Sequence, residues 1–96
     1  MPKDHVEAAR WFWRAANQGH ASAQYNLGVM YANGEGVPKD DLLAHMWGNL
    51  ARAQGAENTN DLMDTLEIRM SRQLIAVAQI MVRKYYEQDY KDCDLL

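Results

Sequence analysis

A chain of 96 residues in which 48% are hydrophobic and 24% charged has room for one small domain, and that balance excludes disordered and fibrous classes. Ten basic against 13 acidic residues give a net charge of −3, with the basic ones scattered, so no footprint for a phosphate backbone exists and no nucleic-acid partner is expected. No stretch approaches the roughly 18 apolar residues of a membrane span, and Met1-Pro2-Lys3-Asp4-His5 lacks the apolar run of a signal peptide, which makes cytoplasmic the default location unless the chain is a piece of an exported protein. The single cysteine, Cys93, cannot form an internal disulfide and has no assigned role.

The first element is a helix from about Asp4 to Gln18. Asp4 and Glu7 have capping-box spacing, Pro2 stands just before, and Gly19 can take the left-handed conformation that ends a helix. The second, Ala21 to Asn33, carries Ala23, Leu27, Met30 and Tyr31 at helical spacing and stops at Gly34-Glu35-Gly36-Val37-Pro38. Gly28 inside it costs about 1 kcal/mol relative to alanine. Close approach of a neighbouring helix offset by small residues, with Ala8, Ala15, Ala44 and Ala51 as suitable partners, accounts for it. The third helix, about Asp41 to Gln54, has Asp40 as N-cap and Gly55 as its stop.

Pro2 through Gly19 laid over Pro38 through Gly55 matches at Pro2/Pro38, Lys3/Lys39, Asp4/Asp40, Ala8/Ala44, Trp11/Trp47, Ala15/Ala51, Gln18/Gln54 and Gly19/Gly55. About one match is expected by chance, so the chain has an internal period of 36. A period in that range marks a solenoid, whose units bury their apolar faces against one another. Because Trp11 and Trp47 recur with the period, both are expected in the core.

After Gly55 the match decays. Asn58, Thr59 or Asn60 can cap a fourth helix through Met70 whose apolar face is Leu62, Met63, Leu66 and Met70. Ser71 can cap a fifth, about Arg72 to Tyr86, with Ile75, Ala78, Val82 and Tyr85 on one side. Loss of the pattern suits a terminal cap, and Tyr86 and Tyr90 can cover the outer end of the last helix or meet a partner. The fold class expected is all-α, a solenoid of antiparallel helix pairs with about five helices. It forms a single domain over 1–90, with a half unit at 2–19, a full unit at 20–55 and capping helices at 58–86. Residues 87–96 form an acidic tail expected to fray.

Ala21-Ser22-Ala23-Gln24-Tyr25-Asn26-Leu27-Gly28-Val29-Met30-Tyr31, then Gly34-Glu35-Gly36-Val37-Pro38-Lys39-Asp40, then Ala44, Trp47, Ala51 and Gln54-Gly55, resemble one complete Sel-1-like repeat. Asp4 to Gly19 resembles the second helix of another, so the resemblance covers roughly residues 2 to 56. It implies an αα-superhelix related to tetratricopeptide repeats and a role as an adaptor that holds other proteins. Some secreted members carry a disulfide in each repeat and were linked to penicillin binding or β-lactamase activity. The cysteines of that subgroup are missing here. A hydrolase remains the alternative to a scaffold, as does a structural segment of a longer solenoid.

The residues offer little to a catalyst. Ser22 and Ser71 lack nucleophile-elbow glycines and Cys93 stands in the tail, so no catalytic residue is nominated. Gly34-x-Gly36 lacks the lysine and strand of a phosphate loop. His5, His20 and His45 form no ligand motif, and His45, four residues after Asp41, reads as surface electrostatics. No metal and no cofactor are expected. A protein or peptide partner is expected on the concave face, where Ser22, Tyr25, Asn26, Val29 and Asn33 stand clear of the inward positions, tyrosine supplying rigid contact area and asparagine pairing with a peptide backbone. A second surface is the opening helix, more apolar than its repeat mate: Phe12 stands where the second copy has Gly48, and Trp13 where it has Asn49. Val6, Phe12 and Trp13 are therefore expected to form an edge covered by a homodimer or by upstream repeats.

Overall fold

The computed structural model describes residues 5–87. Within them lie five α-helices and no strand: α1 (His5–Ala16), α2 (Ala21–Asn33), α3 (Asp41–Ala53), α4 (Asn60–Arg69) and α5 (Arg72–Glu87). Asp4 with its capping box, Tyr90, Cys93 and the tail from 88 onward lie outside the described residues.

The boundaries follow local chemistry. α1 ends before Gln18 because the chain tightens there: Gln18 N–H donates to Ala15 O and Gly19 N–H to Ala16 O, both at 3.0 Å, and Gly19 takes φ 86°, which glycine adopts without steric cost. Asp40 is extended, and its carboxylate accepts from Leu43 N–H at 3.1 Å to start α3. Ser71 Oγ does the same for Leu74 N–H at 3.1 Å at the start of α5. Thr59 occupies the N-cap position of α4 without making a cap bond; its hydroxyl accepts from Arg52 Nε at 3.4 Å instead.

α2 packs between α1 and α3, α4 lies on α3, and α5 turns back onto α3 rather than onto α4, giving an αα-superhelix closed by its last helix. Gly28 sets the distance between α2 and α3, while Gly48 makes room for Met63 of α4. A methyl group on Gly28 would stand 3.2 Å from Ala44 O and 3.4 Å from Gly48 N, so the backbones meet where side chains would hold them apart. The partners of Gly28 thus come from α3 and α4, with Leu62 Cδ2 also at 3.3 Å, rather than from Ala8 and Ala15 of α1.

Leu27, Met46, Trp47, Leu50 and Leu66 are fully buried, and the expected inner faces of α2, α4 and α5 all turn to this core. Trp47 meets the Tyr85 ring edge-on, centroids 5.4 Å apart and planes at 74°, a favoured aromatic geometry. Two expectations are corrected. Trp11, placed in the core by its match to Trp47, is 64% exposed. α5 covers α3, whereas α1 receives no equivalent helix among the described residues, and Trp11 instead lies against the guanidinium of Arg14, 5.7 Å from the ring centroid. His45, read as a surface residue, is fully buried because α4 crosses the side of α3 on which it stands.

Candidate functional site

Three places on this frame bring together side chains that could serve recognition. The first is a groove of about 220 Å³ between α2 and α4. Tyr25, Val29 and Asn33 repeat every four residues along α2, Asp61, Thr65 and Arg69 do so along α4, and helical spacing sets each trio on one stripe. Arg69 is held in place, donating to Asp41 Oδ1 at 2.8 Å and to Ala32 O at 3.4 Å. Such a groove offers an aromatic wall, amide and hydroxyl groups and one carboxylate, which suits an extended peptide better than a small reactive molecule. Of the five residues expected to bind a partner, Tyr25, Val29 and Asn33 line it and Ser22 and Asn26 do not; Asn26 Nδ2 is engaged with Ser22 O at 3.0 Å.

A larger cavity, about 500 Å³, opens between α1, α2 and the loop at Gly36 and Val37. Buried Ala9, Leu27 and Tyr31 floor it, half-buried Trp13 and Val37 flank it, and exposed Arg10 and Arg14 stand at its rim. Burial first, and the negative charge of Asp40 second, push the Tyr31 hydroxyl above the ordinary tyrosine range. Of the residues expected at a self-association edge, Val6 is 53% exposed, while Phe12 and Trp13 are half-buried and packed on the core. Gly36, at φ 78°, lies so close to His5 O that no side chain fits between them. Arg10 and Arg14, four apart on α1, were not among the expected site residues, and it is the meeting of α1 with the Gly36 loop that brings them to one cavity.

The third place is a polar cluster at the α3–α4 crossing. Asn49 Nδ2 donates to His45 Nδ1 at 3.1 Å, which leaves the ring proton on Nε2, facing Glu67 Oε2 at 2.9 Å. Both imidazole nitrogens are satisfied inside the fold, and the cluster fixes α4 on α3. Gln24, also fully buried, donates from Nε2 to Ala16 O at 3.0 Å and so adds a second bond to the carbonyl at the end of α1 that Gly19 N–H already engages. Neither residue was legible as buried from its own type. Among the described residues, no three His, Cys, Asp or Glu side chains gather closely enough to hold a metal ion, and no helix is long and apolar enough to cross a membrane.

The sequence model of the Sel1 repeat matches residues 1–20 and 21–55. Chitin synthase regulatory factor 3 of Schizosaccharomyces pombe is 44% identical over 55 residues, 57% of this chain and 6% of that protein. Chitin synthase regulator SKT5 of Malassezia restricta is 36% identical over 66 residues, 69% of this chain and 5% of the relative. Chitin synthase regulator SKT5 of Saccharomyces cerevisiae is 38% identical over 56 residues, 58% and 8%. The chain therefore spans less than a tenth of the length of these relatives.

Proposed function

The chain belongs to the Sel1 repeat family, and from that premise we propose that it is a protein-binding module, an adaptor that holds an extended segment of a partner in the groove between α2 and α4. The observation that carries this reading is the pairing of Tyr25, Val29 and Asn33 across from Asp61 and Thr65 on a rigid two-helix frame. Similar proteins bear names of regulators of an enzyme. That supports a role exerted by holding a protein partner rather than by turnover. Tyr25 supplies contact area at low entropic cost, and Asn33 and Thr65 can pair with a peptide main chain.

Panning a random peptide library on the full chain tests the reading. Peptides selected by the chain should lose about tenfold or more in affinity, equivalent to about 1.4 kcal/mol, on the Tyr25→Ala, Asn33→Ala double variant, with an unchanged helical circular dichroism spectrum. Equal affinity for both proteins rules out the groove.

A further inference from the structure

The cavity between α1, α2 and the Gly36 loop has a chemistry that the α2–α4 groove does not share. Ala9, Leu27, Tyr31 and Val37 make its interior apolar, and the two charged residues lining it, Arg10 and Arg14, carry the same sign. Neither arginine has a carboxylate partner among the described residues, although the chain as a whole carries −3. The charged groups lining the cavity are thus both cationic, set around an apolar hollow.

We propose that this cavity anchors an acidic segment of a partner protein, which inserts one large apolar side chain over Leu27 and Tyr31 and sets flanking Asp or Glu carboxylates on Arg10 and Arg14. A volume of about 500 Å³ lies within the range of pockets that enclose such groups. Guanidinium groups pair with carboxylates in a two-pronged geometry that an ammonium cannot reproduce. Two exposed like charges four residues apart on α1 draw acidic segments to this rim. The assignment rests on the protein-binding reading but not on the α2–α4 groove.

The probe is a fluorescein-labelled peptide Glu-Asp-Leu-Phe-Asp-Glu, titrated with the full chain and compared with its neutral counterpart Gln-Asn-Leu-Phe-Asn-Gln. Saturable binding of the acidic peptide is expected, weaker by about tenfold or more for the neutral one and weakened by raising salt. The Arg10→Ala, Arg14→Ala double variant, whose changes are at exposed positions, should lose the same factor, whereas Tyr25→Ala with Asn33→Ala should bind the probe as the unaltered chain does. Equal affinity for the two peptides, or an arginine variant that binds normally, overturns the proposal. Sedimentation equilibrium showing a dimer that the arginine variant abolishes assigns the cavity to a second copy and equally overturns it. Absence of probe binding alongside library peptides that require Tyr25 removes this site and leaves the groove standing.

Discussion

The hydroxyl of Tyr85 donates to Asn17 Oδ1 at 2.6 Å, across 68 positions of sequence. Through this bond the last helix grips the chain at the end of the first, and the same ring packs on Trp47 in the centre of the core. Tyr85→Phe keeps the ring contact and should cost about 1 kcal/mol, the usual net value of one hydrogen bond, or about 4–8 °C in Tm for a domain of this size. Tyr85→Ala removes both and should cost about 3–5 kcal/mol. Thermal melts of the two variants check the order and the gap between them.

The two repeat-matched tryptophans should respond in opposite ways. Trp47→Ala empties a fully buried site and should cost about 3–5 kcal/mol, a large share of the total stability of a small domain. Trp11→Ala removes an exposed ring that meets Arg14, so a loss of about 0.5–1 kcal/mol is expected. Urea unfolding measures both, and similar midpoints for the two variants would contradict the structure.

Gly48 faces Met63: a methyl group there would lie 2.5 Å from Met63 Sδ. Gly48→Ala therefore trades a gain in helix propensity of about 1 kcal/mol for displacement of a buried side chain, and overpacking of this kind typically costs about 1–3 kcal/mol. The net expectation is destabilisation that shrinks when Met63→Leu is introduced alongside. A double-mutant cycle on unfolding free energies reads that coupling directly.

Tyr31 gives the molecule an alkaline signature. Its hydroxyl is held above the ordinary range by burial and by Asp40, so the folded chain keeps the proton at a pH where the unfolded chain has begun to lose it. The associated stability is complete below about pH 10, the unfolded tyrosine value, and is lost as pH rises through the higher folded value. Melting temperature should fall over that window in the unaltered chain and fall less steeply in Tyr31→Phe.

The helical frame was legible because punctuation and period agreed. Asp40, Gly19, Gly55 and Ser71 each act at the helix end their chemistry suits, and the limits of α2 coincide with those read from its apolar spacing. Trp11 was misplaced because an internal match transfers position on a helix but not the neighbour that covers it. His45 and Gln24 were invisible as buried residues because what admits them is a partner elsewhere in the chain, Glu67 for one and the carbonyl of Ala16 for the other. The candidate groove was half legible: Tyr25, Val29 and Asn33 could be nominated from α2 alone, while Asp61, Thr65 and Arg69 required the crossing of α4. The arginine-rimmed cavity depends on a loop meeting a helix, a juxtaposition that spacing along one helix does not report.

Where Gly28 meets α3 and where Gly36 meets His5 O, main chain approaches main chain. The spacing of the two helices within a unit, and the approach of the opening helix to that unit, are thereby set by atoms that every residue type shares, with no dependence on what the outward side chains happen to be. Residues such as Tyr25, Asn33, Arg10 and Arg14 can then be exchanged without altering how the units stack. A frame of this kind can be re-lettered for a new partner much as type is reset in a fixed forme, and chimaeras that swap only those outward letters should keep the same spacing between helices.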